Sequence, residues 1–370
     1  MTSENVTLDV NASILKHINM IKSWIPQRAV IAIGEYAGEI LKNFTNPKNS
    51  DVLALFVDKA KKEDARPKAL ASNELKIDEK ANTHYWFNVQ QHVMKDQAFS
   101  ERLRSKTFEK LGSALIVSSV GEGMGSFLLP SAASQIGEKG VESVGLSILP
   151  SQVQPPDAFF NALWSMGTCA QRGITQVLVE RDELENYIGV DRKGTVLKGE
   201  SVFSYLLELM LTKEFLVQEI CELSDSFNVH HYSVLAATGA SLKIHGSLEN
   251  ILNVASFMPL SNFDLSTATV LYVLVRMPTQ LEGRITRRSI ESTVNKWFKE
   301  RASLKAVIVS EPIYVNDGSD RLDIAMFVGG FDLSKRIVAL DRQVKDIVSY
   351  AVKNSFIEEK EWQELIKTLT

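Results

Sequence analysis

The feature that most constrains this chain is a rhythm. Short β-branched and aliphatic runs, Ala29 to Ile33, Val52 to Val57, Ala114 to Ser118, Val144 to Leu149 and Thr175 to Val179, alternate with longer stretches of helical spacing. Runs that are apolar throughout must be covered on both faces, and strands joined through helices run parallel. The reading is α/β, with a Rossmann-like parallel sheet as its first part. From Glu200 to Leu223 no Gly or Pro interrupts a helical pattern that sets Val202, Leu206, Leu209, Phe215, Leu216 and Ile220 on the apolar side, which predicts one long buried central helix. Beyond it, strand Thr267 to Arg276, helix Thr286 to Arg301 and strands Ala306 to Val315 and Leu322 to Gly329 predict a smaller mixed-sheet α/β domain, with Asn316-Asp317-Gly318 as a hairpin turn.

The ends read as helices. Val6, Val10, Ile14, Ile18, Ile21 and Ile25 recur at three- and four-residue steps until Pro26, and helices near 335–353 and 358–369 close the chain. Phe356, Trp362, Leu365 and Ile366 fall on one apolar stripe, which either docks on the chain's own domains or, left exposed, offers a groove-binding surface to a partner. The resulting division is an N-terminal extension 1–27, a nucleotide-binding-type domain 28–199, a central helix 200–223, a second domain 224–332 and a C-terminal extension 333–370.

Composition narrows the function classes. Across 370 residues, 41 basic and 45 acidic side chains leave a net charge of -4, so no global field collects nucleic acid. Cys169 and Cys221 make no disulfide framework, and no charge-free apolar stretch reaches the length of about 18 residues that a membrane span needs. The expectation is a cytoplasmic protein with reduced thiols. Lys59-Ala-Lys-Lys-Glu-Asp-Ala-Arg66 reads as a solvated loop.

The chemistry gathers at glycines. The apolar run to Ser119 enters Gly121-Glu-Gly123-Met-Gly125-Ser126 and then a helix holding Pro130, placed by this reading in its first turns. Glycines there let backbone approach an anion, and unpaired amides at a helix start can cradle phosphate. Gly34 and Gly38 follow another strand, and Asp58 closes the next, which also admits a dinucleotide site with an acid for the ribose hydroxyls. His230, His231 and His245 lack the spacing of a metal set and read as surface or subunit-contact residues, while Cys169, with no histidine close in sequence, reads as a small buried thiol.

Taken in order, these segments resemble the tubulin/FtsZ superfamily, FtsZ more than eukaryotic tubulin, over residues from about 28 to 332. The loop Gly121 to Ser126 with Pro130 is similar to the family's glycine-rich signature. Ala170 to Ile174 and Val179 to Leu184 look like the stretch that leads to the guanine-side loop. Asn250 to Leu260 and Phe263-Asp-Leu-Ser-Thr-Ala268 resemble its second-domain passage. The resemblance implies a fold of nucleotide-binding domain, central helix and mixed-sheet domain, with head-to-tail self-association into filaments, GTP or GDP with magnesium as ligand, and a role in the cytoskeleton or cell division. Another FtsZ-family protein, or a membrane-anchor protein on the terminal helices, is the partner class it suggests. Nucleotide, where bound, would meet Gly121, Gly123, Gly125 and Ser126, with Gly34 and Gly38 on the opposite wall.

The departures shape the expected function. Glu122, Met124 and Phe127 replace family residues of the signature, Glu35 enters the first glycine turn, and Tyr85 to Gln97 lacks the expected phosphate loop. Two like charges at about 4 Å repel by roughly 1 kcal/mol in water and about 4 kcal/mol at an effective dielectric of 20. Arg181 and Leu207 stand where the family reads guanine. The family's water-orienting loop, patterned Asn-x-Asp-x-x-Asp, corresponds here to Asn228, His230 and Ser233, with both acids gone. The sequence thus predicts a degenerate GTP site with weak or no hydrolysis in a filament component or a regulator of one, and no catalytic residue is assigned. Two alternatives stay open: an active GTPase in which His230 substitutes for the acids, and a dinucleotide-dependent enzyme using Gly34, Gly38 and Asp58.

Overall fold

The apolar runs fold as the strands their composition demands. The computed structural model describes residues 27–42, 52–59, 74–96, 101 and 111–370, so the helix expected at 6–25 and all but Lys59 of the charged run lie outside the described residues. The parallel half comprises β1 (Gln27–Ile33), α1 (Glu35–Lys42), β2 (Val52–Lys59), β3 (Glu74–Ile77), α2 (Trp86–Lys95), β4 (Leu111–Ser119), α3 (Gly123–Gly137), β5 (Glu142–Leu149), α4 (Pro156–Gln171), β6 (Thr175–Glu180) and α5 (Arg181–Asn186). A hairpin of β7 (Ile188–Val190) and β8 (Val196–Lys198) leads to α6 (Glu200–Thr212) and α7 (Leu216–Phe227). There follow β9 (His231–Ser241), α8 (Leu242–His245), α9 (Leu248–Phe257), β10 (Val270–Pro278), α10 (Arg287–Lys299), β11 (Ala306–Val309), β12 (Ile313–Val315), β13 (Arg321–Gly329), α11 (Ser334–Gln343), α12 (Lys345–Lys353) and α13 (Glu359–Leu369).

One sheet carries both halves, in the order β11-β10-β13-β9-β6-β5-β4-β1-β2-β3, with β12 also on β10. Strands β1 to β6 are parallel along this path, whereas β13 runs antiparallel to both β9 and β10. The halves meet where β6 pairs with β9 in parallel, Gln176 beside His231 and Val177 beside Tyr232. Strand order reverses between β1 and β4, which in an open α/β sheet opens a crevice at the carboxyl ends of the strands. One face of the parallel half packs α2, α3, α4 and the C-terminal helices, and the other packs α1, α6 and α7. Helices α9 and α10 cover the mixed half.

Several expected elements take another form. The single helix Glu200 to Leu223 is two helices, because Lys213 leaves helical geometry at φ -88°, ψ 113°. After Met210 the next helical turn would bring Lys213 and Glu214 to the buried face, so the stripe has no residue to continue it. Run Ala306 to Val315 is split at Pro312, which has no amide for the ladder. Asn316 to Gly318 is not a hairpin turn, since β12 and β13 lie on opposite sides of β10. Asp317 instead takes Arg192 in a bidentate pair at 2.8 and 2.9 Å, which holds its carboxyl below the usual range. Pro130 lies inside α3 rather than in its first turn. His231 and Ser233, read as loop residues, belong to β9.

The C-terminal stretch makes three helices rather than two, and its apolar stripe faces inward. Trp362, 1% exposed, stacks on Phe160 with centroids 5.1 Å apart and donates its indole N–H to Asp341 at 2.8 Å. Phe356 stacks on Phe87 at 4.1 Å, and Leu365 comes within 3.0 Å of the point where a Cβ on Gly167 would sit. Covering this face of the sheet takes apolar area, and the tail supplies it; the stripe is therefore not offered to a partner.

A buried polar cluster fastens α6 to the mixed half. Asp323, fully buried, accepts from Arg276 Nε at 2.8 Å, the Tyr205 hydroxyl at 3.0 Å and the Gly239 amide at 2.7 Å, while Arg276 also reaches Glu208 at 3.2 Å. Removing one member of a buried ion pair leaves the other charge without compensation. Asp323→Ala is expected to cost about 3–5 kcal/mol in urea unfolding.

Candidate functional site

A cleft of about 390 Å³ opens at the strand reversal, within the range of roughly 300–1,000 Å³ typical of small-molecule sites. Its floor is Gly121 to Met124, between β4 and α3. Its walls are Glu35 at the start of α1, Asp58 and Lys59 at the end of β2, Thr83 and His84 before α2, and Gln154, Asp157 and Asn161 at the head of α4. These groups converge because parallel strands deliver every following loop to the same edge.

The floor closes only because side chains are missing. A Cβ on Gly125 would lie 2.0 Å from the Ser119 carbonyl oxygen, and one on Gly123 would lie 2.5 Å from that of Thr83. Both glycines are thus pressed against the chain's own backbone. Ser126 is fully buried and its hydroxyl donates to the Asn161 carbonyl at 2.6 Å. Gly38 lies on the buried face of α1, with a Phe56 ring carbon at 4.0 Å from its Cβ position. Of the residues singled out from sequence, Gly121 and Gly123 line the cleft, Gly34 borders it, and Gly38, Gly125 and Ser126 sit behind its surface. Asp58 lines it as well.

Asn161 escaped the sequence reading. It is 1% exposed, accepts from the Trp86 amide at 3.0 Å, and donates to the carbonyls of His84 at 2.9 Å and Gly121 at 3.1 Å. One amide side chain therefore holds the wall before α2 against the glycine floor. Beside it, Asp157 accepts from the Tyr85 hydroxyl and lies 3.6 Å from His84. Pro155-Pro156-Asp157 is a helix-start signal that could have placed Asp157 at a rim; no local pattern marks Asn161. Asn161→Ala strips partners from buried backbone groups, at about 1–3 kcal/mol for each group left unpaired, and is expected to lower urea stability by about 3 kcal/mol.

Glu122 dominates the electrostatics. It is the N-cap of α3, yet its side chain does not cap that helix; it turns over Gly34, where a Cβ would lie 2.9 Å from its Oε2. Burial, then the charge of Asp58, push its carboxyl up to about 7 from an ordinary 4.5, against a hydrogen bond from Ser119. A carboxyl raised in the folded state contributes stability that is fully present below about pH 4.5 and is lost as the pH rises through about 7. Thermal melts should therefore show Glu122→Gln gaining on the parent protein between pH 5 and pH 8.

Arg181 and Leu207, the two positions that the resemblance implies for guanine, are engaged within the chain. Arg181 lies over the Tyr36 ring at 4.3 Å and pairs with Glu185 at 2.9 Å, and Tyr36 is pushed up to about 12, mainly by burial. Leu207 is 1% exposed inside the core with Leu146, Val177 and Val179, away from the cleft.

Asn228, His230 and Ser233 lie elsewhere. Because β9 starts beside the start of β6, they occupy the amino-end edge of the parallel sheet, opposite the cleft and roughly 20–30 Å away at about 3.3 Å per strand residue. Asn228 ends α7 in the left-handed region at φ 52°, and its side-chain oxygen is 3.2 Å from His230 Nε2. Burial pulls the His230 imidazole below its usual value. Ser233 is fully buried and bonded to Ser261. His231 reaches the Phe331 carbonyl at 2.8 Å. Cys169 is buried, which pushes its thiol up, away from reactivity. Among the described residues no group of three or more His, Cys, Asp or Glu could hold a metal, and no helix is long and apolar enough to cross a membrane.

No family model matches the chain, and no curated protein does. Solved structures do. A GDP-bound monomer of CetZ1 from Haloferax volcanii superposes with a TM-score of 0.67 at 16% identity, over 87% of this chain and 99% of that one. A GTPγS-bound protofilament of CetZ2 from the same organism gives 0.63 at 17% identity, over 88% and 99%. An empty FtsZ dimer from M. jannaschii gives 0.61 at 14%, over 89% and 93%.

Proposed function

The chain has the tubulin/FtsZ fold, and we propose that it is a filament-forming protein of the cytoskeletal kind, with a guanine-nucleotide cleft that binds weakly and hydrolyses slowly or not at all. What supports assembly is the separation of parts. The cleft and the Asn228–His230 corner occupy opposite edges of one rigid sheet, so they can meet only when the corner of one copy reaches the cleft of the next. Repeated head to tail, a contact of this type propagates a filament unless its rotation closes a ring. CetZ2 of the same fold was seen as a protofilament with GTPγS, and CetZ1 with GDP.

Weak binding follows from the cleft's own groups. Volume, glycine floor and helix start suit a phosphate-bearing ligand. Glu35, Asp58, Glu122 and Asp157 oppose it. A magnesium ion would be held mainly by the phosphates with one or two of these carboxylates, the usual arrangement for that ion. Slow hydrolysis follows from the corner: Asn228 and His230 carry no anionic charge in the loop itself, and the carboxylate whose charge His230 feels, Asp225, belongs to α7 rather than to the loop positions that organise a metal and its water in the family. The domain division at 200–223 and a role in cell division rest on the resemblance and belong to this proposal.

Sedimentation with GTP, GDP or ATP, paired with phosphate release, tests the reading. We expect pelleting to rise with GTP while phosphate release stays at background, and His230→Ala, which trims the copy-to-copy contact, to weaken pelleting and leave phosphate release at background. Phosphate release that climbs with polymer and vanishes in His230→Ala would make the chain an active GTPase instead.

A further inference from the structure

Resting on the filament reading, we infer that the outer face of the β7–β8 hairpin is the seat of a second copy of this chain, which docks there through the acidic outer side of its α7. The hairpin shows a face that nothing covers. Ile188 pairs with Lys198 and Val190 with Val196, so these four side chains share one face, while Gly189 and Leu197 share the other. Leu197 packs against the core, and a Cβ on Gly189 would lie 2.4 Å from the Thr238 hydroxyl oxygen, so that second face is the one seated on β9. On the outer face Ile188 is 55% and Val196 58% exposed. The hairpin is firmly held: the Val190 amide donates to Thr238 at 3.2 Å, the Tyr187 hydroxyl donates to the Ala236 carbonyl at 2.8 Å, and Gly239, at φ 53°, leaves room for the Asp191 carbonyl where a Cβ would be 2.4 Å away. Aliphatic side chains on a rigid exposed face mark an interaction surface. Its charge is positive, because Asp191 accepts from the Lys193 and Thr195 amides at 2.8 Å each, while Lys193 and Lys198 point to solvent.

Strand β9 identifies the occupant, since it carries both halves of the match. Its later part seats the hairpin, and it begins just after α7 and Asn228. A copy displaced along β9 therefore brings its own α7 toward this hairpin. That helix supplies the complement: it holds Glu219, Glu222 and Asp225 and no basic residue. Lys213 pairs with Glu219 at 3.6 Å, and Arg172 at the same edge is turned to Ser134 at 3.1 Å, whereas Glu222 and Asp225 stay exposed. Burial, then the charges of Glu222 and Asp225, hold the Glu142 carboxyl above its usual range, and Glu142 Oε2 is buried without a hydrogen-bond partner among the described residues. An acidic corner that repels itself in one copy gains when the cations of another arrive. Lys193 and Lys198 are those cations, and Ile188 and Val196 cover Phe227, which is 38% exposed beside the acids. The contact is compatible in scale with His230 reaching the cleft. Helix α5, about 9 Å long, joins Arg181, whose charge Glu122 feels, to the hairpin, and Asp225 and Phe227 lie just before Asn228 and His230.

Sedimentation of the full chain with GTP tests this, with charge reversals on either side of the contact. Lys193→Glu with Lys198→Glu, and separately Glu222→Lys with Asp225→Lys, should each raise the concentration needed for pelleting by about tenfold, and the four changes together should bring it back to within about threefold of the parent. Pelleting of the parent should fall as salt rises from about 50 mM to about 500 mM. Thermal melts matching the parent's show that lost pelleting is not lost folding. A second readout is independent of charge: chains carrying Val196→Cys mixed with chains carrying Phe227→Cys, in which Cys169 and Cys221 are buried, should form a disulfide-linked pair on mild oxidation in GTP. Reversals that pellet as the parent does, or a mixture that pellets without cross-linking, overturn this inference, leave the hairpin face to a different protein, and leave the filament reading standing. A parent that does not pellet with any nucleotide at any salt overturns both.

Discussion

The structure depends on a close approach of backbone to backbone that no side chain could share. At Gly125 helix α3 presses on the end of β4, and at Gly123 the same helix start meets the carbonyls of Thr83 and Tyr85. With any Cβ at either position the floor would lift and the segment before α2 would lose its seat. Asn161 then fixes that seat with hydrogen bonds to three backbone groups. The two glycines thus work first as packing residues, and their effect on a ligand passes through the shape they permit. A glycine loop that reads as a phosphate cradle is here also a joint between three elements.

The remainder of the fold keeps that joint rigid. Trp86 and Trp164 stack at 4.2 Å behind it, and Trp362 of α13 and Phe356 of the turn before it close over Phe160 and Phe87 from outside. The tail therefore braces the two helices, α2 and α4, whose heads line the cleft. On the other face, α6 carries Tyr205 and Glu208 to Arg276 and Asp323, so the helix that backs the parallel sheet is also fastened to the mixed half.

Much of this was legible in the sequence, and what escaped has physical reasons. Apolar runs longer than an alternating strand allows gave β1, β2, β4, β5 and β6 nearly residue by residue, since burial on both faces leaves no other composition. The reversal that opens the cleft could be anticipated from the glycines after two of them. The break at Lys213 was written in the polar stretch Thr212-Lys213-Glu214, but without Gly or Pro it carried no punctuation. Strand β9 was hidden because His231 and Ser233 are polar residues satisfied internally, by Phe331 and Ser261. Of the site residues, Gly121, Gly123, Gly34 and Asp58 reach or border the cleft, while Ser126 turned out to be spent on Asn161. Asn161 itself could not be found, because its partners are backbone groups distant in sequence, and backbone groups leave no signature.

The central claim is that the cleft around Glu122 and the corner at Asn228 and His230 complete each other between copies. An electron cryo-microscopy reconstruction of chains assembled with GTP tests it most directly. The account requires successive copies related by translation along the strands, with His230 of one copy over Gly121 to Met124 of the next. Copies joined through the outer strands β3 or β11, or through the C-terminal helices, would contradict it.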